Sequence, residues 1–154
     1  MDGFLDAMDE HEQDRQEQIL LMKAGIAKFL EEQELPGDHP VVVIGGGAML
    51  LRKIRSSFGD VDLIVPGMSG KVEKVVDIEP LKAMSATYHG VAIDAGGELL
   101  VTGLSTEGVV KRATKCEGLL TMSVDDLLAM KKEMNRAVDQ DDITLLENFM
   151  EYPY

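Results

Sequence analysis

The sequence is short of several residue types, and each shortage excludes a class of protein. Its 154 residues include one cysteine, Cys116, so no internal disulfide can form within it and a reducing compartment is favoured. No apolar run approaches the ~20 residues of a membrane-spanning helix. The acidic start, MDGFLDAMDEHEQD, lacks the basic and apolar regions of a secretory signal. We therefore expect a cytoplasmic protein that does not enter a membrane.

Basic residues are also scarce relative to acidic ones. Lys and Arg total 15 against 28 Asp and Glu, so the formal net charge is −13. A nucleic-acid-binding surface is usually basic, and a chain this acidic should repel a polyanion at long range. Three local basic clusters could serve a triphosphate or a nucleic-acid end, or could simply be solvated. They are Arg52, Lys53 and Arg55; Lys111, Arg112 and Lys115; and Lys131, Lys132 and Arg136.

The rest of the composition is typical of one globular domain. Hydrophobic residues make up 45% of the chain, but tryptophan is absent, so the core must be mainly aliphatic. Residues 1–34 have apolar residues at helical spacing, and Pro36 and Gly37 should end that helix. We expect residues 1–36 to form a helical segment that packs on a domain made by residues 37–154.

The stretch at 41–65, VVVIGGGAMLLRKIRSSFGDVDLIV, is the most informative part of the chain. Four β-branched residues predict a strand, Gly45, Gly46 and Gly47 a turn, and residues 48–55 a short helix. The chain then returns as a strand that carries Asp60 and Asp62. A glycine turn can approach a ligand closely and direct backbone N–H groups at an anion.

The spacing of Asp60 and Asp62 has a chemical consequence. Side chains alternate along a strand, so both carboxylates should point to the same side. Such a pair repels unless a cation lies between the two groups, and oxygen ligands favour Mg²⁺ or Mn²⁺. A phosphate-binding turn beside a divalent metal indicates a site for a nucleoside triphosphate. The alternative is a pair of strands joined by a helix, with two solvated acids at an edge.

The same residues resemble the signature of the nucleotidyltransferase fold, the DNA polymerase β-like superfamily. The match consists of Gly46 and Gly47 followed by the Asp60-Val61-Asp62-Leu63 strand. The resemblance implies that the acids hold Mg²⁺ and that the glycine turn contacts the triphosphate, with Arg55 as a further nucleotide-binding candidate. Glycine stands where many members have serine, which would remove one hydroxyl contact to the triphosphate.

Later strands supply a third candidate acid. Residues 88–94 and 98–103 predict two strands, with Ala95, Gly96 and Gly97 as the turn of a hairpin. In the family that the chain resembles, a third acid comes from a strand beside the one with the two acids, and Asp94 matches it by position. The alternative is that Asp94 begins the turn. Residues 69–84 give no clear prediction.

The last third of the chain resembles a segment of abortive-infection-type toxin nucleotidyltransferases and their uncharacterised relatives. The run is SVDDLLAMKKEMNRAVDQDDITLLENF, in which Ser123 should cap a helix. The resemblance implies that Lys131 contacts nucleotide phosphates and that Arg136 occupies a basic position. Asp139 and Asp142 match two acids of the pattern, but we interpret them as ordinary exposed acids at a helix start. Before this run, residues 105–115 predict a helix and residues 118–122 an edge strand.

Together these observations predict an α/β (α+β) fold with a small mixed sheet flanked by helices. The favoured function is nucleotidyl transfer from a nucleoside triphosphate to an acceptor hydroxyl, catalysed by Mg²⁺ or Mn²⁺ on Asp60, Asp62 and Asp94. The acceptor could be RNA, a protein or a small molecule, and the toxin-like resemblance implies a possible antitoxin-like protein partner. One alternative is a binding or regulatory module without catalysis. A Rossmann dinucleotide site is a poorer match, since Leu50 occupies the third glycine position.

Overall fold

The computed structural model describes residues 2–55, 58–67, 84–88, 90–99, 101 and 103–151. Within these ranges the chain forms a mixed fold of helices around one six-stranded sheet, which confirms the predicted α+β class. The elements in chain order are α1 (Asp2–Glu32), β1 (Val42–Ile44), α2 (Gly45–Leu51), β2 (Val61–Ile64), β3 (Met84–Tyr88), β4 (Val91–Gly96), α3 (Thr106–Arg112), β5 (Thr114–Cys116), β6 (Leu119–Thr121), α4 (Val124–Met134), a 3-10 turn (Ala137–Asp139) and α5 (Gln140–Glu151).

The sheet has the strand order β3-β4-β2-β1-β6-β5. Its central neighbours are mixed in direction: β1 pairs antiparallel with β2 and parallel with β6, and β2 pairs parallel with β4. The outer pairs, β3 with β4 and β5 with β6, are antiparallel. The two strands from the 41–65 stretch therefore lie at the centre of the sheet, where their apolar residues are fully buried.

Helix α1 is continuous and covers one face of the sheet. Ile19, Met22 and Phe29 are buried along its inner side, and the helix packs against β3 and β4. It ends where Glu34 adopts a positive φ of 57° and the Leu35 amide donates to the Leu30 carbonyl, a Schellman-type ending just before Pro36. None of the described helices is long and apolar enough to cross a bilayer.

Helix α2 is displaced towards the glycines relative to the prediction. It starts at Gly45, whose φ of +64° turns the chain directly from β1 into the helix, so the glycines form the first helical turn. It ends at Leu51, because Lys53 has a φ of 64° and the Ile54 amide donates to the Met49 carbonyl. Arg15 of α1, almost fully buried, donates to the carbonyls of Leu50 and Leu51 at that end.

The predicted hairpin with a turn at residues 95–97 is wrong. Strand β4 runs through Ala95 and Gly96, which pair with Leu63 and Ile64 of β2, and the hairpin lies on the other side of β4, with β3. Backbone hydrogen bonding to two neighbours outweighs the local turn preference of glycine. In the described part of the predicted strand at 98–103, Leu99 and Val101 take part only in isolated bridges, Val101 with Leu104. Residues 100 and 102, and 69–83 of the stretch without a clear prediction, lie outside the described residues.

Two predictions near the C-terminal third also need correction. The helix after Ser105 ends at Arg112, and the following three residues form β5 instead. Strand β6 is an interior strand between β1 and β5, so the predicted edge strand is wrong. Arg52 joins these segments, because its guanidinium donates to the carbonyls of Thr121 and Met122 and to the Thr114 hydroxyl. Such long-range contacts leave no local sequence pattern.

Candidate functional site

Two of the three candidate acids lie side by side on neighbouring strands. Asp62 of β2 and Asp94 of β4 are direct partners in a parallel ladder. Directly opposed residues point to the same face, and adjacent strands are about 4.8 Å apart. Both side chains are partly exposed, whereas their strand neighbours Val61, Leu63 and Ile93 are fully buried on the other face. The sheet thus presents two carboxylates together on one face.

The prediction that Asp60 lies on the same strand as Asp62 is wrong. Asp60 lies in an exposed bend, one residue before β2 begins, so the strand itself carries only Asp62. Within the described part of the chain, no group of three His, Cys, Asp or Glu side chains is arranged to hold a metal ion. A Mg²⁺ ion is, however, commonly bound through one or two carboxylates together with substrate phosphates. Asp62 and Asp94 fit that mode of binding.

The first glycine of α2 lies against the Asp62 carboxylate. Ile44, the residue before it, is the partner of Asp62 across the β1–β2 ladder. A Cβ atom on Gly45 would lie 3.1 Å from Asp62 Oδ2, which is closer than ordinary van der Waals contact. The positive φ of Gly45 and this close approach both favour a residue without a side chain. The predicted adjacency of the glycine turn and an acid is therefore observed for Gly45 and Asp62.

The second glycine brings a basic residue to the same turn. A Cβ atom on Gly46 would lie 3.2 Å from a terminal guanidinium nitrogen, Nη1, of Arg55. Gly47 faces the core instead, where a Cβ atom would lie 3.0 Å from Val43 Cγ1. The three glycines thus have separate roles: Gly45 accommodates Asp62, Gly46 accommodates Arg55, and Gly47 permits close packing of α2 on β1.

Lys131 belongs to a buried ion-pair network that extends to Arg55. Its ammonium Nζ lies 3.4 Å from Asp139 Oδ1 and 3.2 Å from Asp142 Oδ2, and the side chain is only 9% exposed. The same Asp142 oxygen lies 3.6 Å from Arg55 Nη1. The network therefore connects α4 and α5 to the glycine turn, and it places two candidate nucleotide-binding residues, Lys131 and Arg55, on one shared carboxylate.

Arg136 pairs with Asp139, the second acid of this network. Its guanidinium donates to both oxygens of Asp139, at 2.8 and 3.0 Å, and its backbone amide donates to Asp139 Oδ2 at 3.0 Å. Desolvation raises the pKa of Asp139, but the Arg136 hydrogen bonds and the Lys131 and Arg136 charges outweigh it, so the pKa lies below its ordinary value. Asp139 is thus held as a carboxylate at neutral pH.

The interpretation of Asp139 and Asp142 as ordinary exposed acids is wrong. Both are buried and ion-paired, and they anchor Lys131. A clue was present in the sequence: the two acids are three residues apart, so one helical face can present both to a basic residue on the preceding helix. The spacing alone did not indicate that this face would be directed inward, because burial depends on how α5 packs on α4.

The structure connects most of the predicted site residues. Gly45, Asp62 and Asp94 lie together at the centre of the sheet, and Arg55, which lies next to Gly46, is linked to Lys131 through Asp142. Asp60 lies in the exposed bend immediately before β2. Comparison of the sequence and structure with protein-family models, with curated proteins and with solved structures found no match.

Proposed function

We propose that this protein binds a nucleoside triphosphate with Mg²⁺ or Mn²⁺ and transfers the nucleoside monophosphate to an acceptor hydroxyl. The observation that carries the proposal is the register that pairs Asp62 with Asp94 beside Gly45. The resemblance of the glycine and Asp60–Asp62 motifs to the nucleotidyltransferase fold adds support from the sequence. The acceptor could be RNA, a protein or a small molecule, and a toxin-like role with an antitoxin-like partner belongs to the same proposal.

In this proposal Asp62 and Asp94 would hold the metal, with Asp60 close in sequence as a third acid. The metal, when bound, would supply positive charge that neutralises the triphosphate. Gly45 leaves room for the Asp62 carboxylate, and Gly46 leaves room for the Arg55 guanidinium. Arg55 can form charge-assisted hydrogen bonds to phosphate oxygens at this turn. Lys131 adds a buried positive charge that two carboxylates hold in place.

Thermal unfolding with each nucleoside triphosphate and Mn²⁺ tests the binding step. A ligand that binds only the folded state stabilises it by mass action, by roughly 2.7 kcal/mol at a hundredfold excess over Kd. Because phosphate oxygens complete the metal shell, Mn²⁺ and triphosphate together should raise the melting temperature more than either alone. Replacing Asp60 and Asp62 with Asn should abolish this synergy, and Asp62→Asn or Asp94→Asn should do so separately.

Asp125→Asn provides a matched control, because Asp125 is an exposed acid at the start of α4 and its loss changes the net charge equally. Transfer is then scored by incubating the protein with each labelled triphosphate, Mg²⁺ and total cellular RNA or protein. Labelled acceptor with the wild type, but not with Asp62→Asn, is the expected result. Absence of any thermal shift with all four triphosphates and both metals would refute the proposal.

A non-catalytic binding module is the second candidate function. It is favoured by the position of Lys131, whose ammonium group already lies within ion-pair distance of two carboxylates rather than in an open cleft. A synergistic thermal shift without transferred label to RNA, protein or small-molecule acceptors would select this alternative.

A further inference from the structure

One carboxylate oxygen joins the two basic side chains of the candidate site. Asp142 Oδ2 lies 3.2 Å from Lys131 Nζ and 3.6 Å from Arg55 Nη1. Lys131 lies in the last turn of α4, Arg55 follows α2, and Asp142 lies in the first turn of α5. A single atom thus connects the two consecutive helices α4 and α5 to Arg55, which is far from both in sequence.

We propose that Asp142 is a positioning residue for phosphate binding, which holds Lys131 and Arg55 next to each other beside the glycine turn. The inference rests on the proposed function, because it assigns a role in triphosphate binding to a residue outside the metal site. Lys and Arg side chains are flexible and repel each other when close. A shared carboxylate offsets that repulsion and keeps both nitrogen atoms within 3.6 Å of one oxygen.

Asp142 is better placed for this role than Asp139. Asp139 is only 1% exposed and is occupied by both the side chain and the backbone of Arg136, which lies at the far end of the network. Asp142 alone of the two acids has an ion-pair contact with Arg55 among the described side chains. Asp142 therefore links Lys131 to Arg55 beside the glycine turn, whereas Asp139 links Lys131 to Arg136.

The ion-pair network has a net positive charge, which can attract phosphate. Arg55, Lys131 and Arg136 carry three positive charges, and the two acids carry two negative charges, so one positive charge remains. If charge alone mattered, removing the Asp142 carboxylate would increase the positive potential and tighten anion binding. If Asp142 acts by position, the same removal should weaken binding. The two roles predict opposite signs.

Calorimetric titration of the full chain with ATP, GTP, CTP, UTP and inorganic tripolyphosphate, each with Mn²⁺, separates these roles. We expect Asp142→Asn to weaken binding about tenfold, which corresponds to about 1.4 kcal/mol, a coupling common for residues in contact. Asp141→Asn, an equal charge change at the exposed neighbour, should leave Kd unchanged. Asp142→Glu, which keeps a carboxylate, should restore much of the affinity. Binding by Asp142→Asn that equals or exceeds the wild type would overturn the inference.

A second comparison distinguishes positioning from a general loss of structure. If Asp142 acts through Lys131 and Arg55, adding Asp142→Asn to Lys131→Met should weaken binding less than it does in the wild-type background, because only Arg55 is then left to be positioned. A further loss as large as in the wild-type background would count against the inference. If Asp142→Asn alone fails to fold, the double variant, which leaves no unpaired buried lysine, is compared with Lys131→Met, and a further loss of about tenfold or more would count against the inference. A wild type that binds no triphosphate overturns the proposed function itself, whereas wild-type binding with an unaffected Asp142→Asn overturns only the positioning role.

Discussion

Replacing Gly45 with Ala should disturb both the stability of the protein and the candidate metal site. Gly45 has a φ of +64°, a conformation that costs an L-residue roughly 1–2 kcal/mol. The new methyl group would also lie 3.1 Å from Asp62 Oδ2, so the carboxylate must move or the helix must shift. Inserting a methyl group into a packed site costs typically 1–3 kcal/mol. The sum predicts a loss of roughly 2–5 kcal/mol.

Gly118 provides a matched control for this substitution. It has a similar φ of +81°, but a Cβ atom there would have as its nearest described neighbour Lys23 Nζ, at an ordinary 3.8 Å. Gly118→Ala should therefore lose only the roughly 1–2 kcal/mol that the backbone conformation costs. The difference between the two variants isolates the contact with Asp62. At about 2–4 °C per kcal/mol for a chain of this size, it is measurable by thermal unfolding as well as by urea denaturation.

The same pair of variants tests the site. Because Gly45→Ala displaces either the Asp62 carboxylate or the start of α2, it should reduce the synergistic stabilisation by Mn²⁺ and triphosphate, while Gly118→Ala should leave that synergy at the wild-type level. The shift is measured relative to each variant's own melting temperature without ligand. Equal stability losses for the two variants would refute the close contact between Gly45 and Asp62. A full ligand shift in Gly45→Ala would refute the role of that contact in the site.

Three further substitutions test individual contacts. The Ser123 hydroxyl accepts from the Asp126 amide at 3.1 Å, so Ser123→Ala should cost ~1 kcal/mol in urea denaturation, and an unchanged midpoint would contradict a capping role. The lowered pKa of Asp139 means that its contribution to stability is present above its ordinary pKa, 3.8, and is lost as the pH falls through the lower folded-state value. The difference in unfolding free energy between the wild type and Asp139→Asn should therefore shrink at the acid end of a pH series, and a difference that is constant with pH would contradict this. Arg52→Gln should destabilise the protein by more than the exposed-surface control Lys53→Gln, since only Arg52 donates to Met122, Thr121 and Thr114. Equal midpoints for those two variants would contradict the role of Arg52 in joining α2 to β5 and β6.

Local patterns in the sequence were sufficient to predict the fold class and several elements. The helical spacing before Pro36 predicted α1, the β-branched run predicted β1, and the Ser123 motif predicted the start of α4. These features depend on interactions within a few residues, such as apolar periodicity and capping, which any chain with this sequence would favour. Gly45 and Asp62 were named from the local motif at 41–65, whereas Asp94 was named because its position matches the third acid of the family that the sequence resembles.

Tertiary structure alone decided how those residues meet. The register that pairs Asp62 with Asp94 follows from the parallel pairing of β2 and β4, which the predicted hairpin at 95–97 did not include. The burial of Asp142 follows from the packing of α5 against α4, which brings it to both Lys131 and Arg55. The sequence by itself therefore determined which side chains are available for chemistry. Their distances and burial depend on contacts between residues far apart in the chain, because strand register and helix packing are properties of the assembled core.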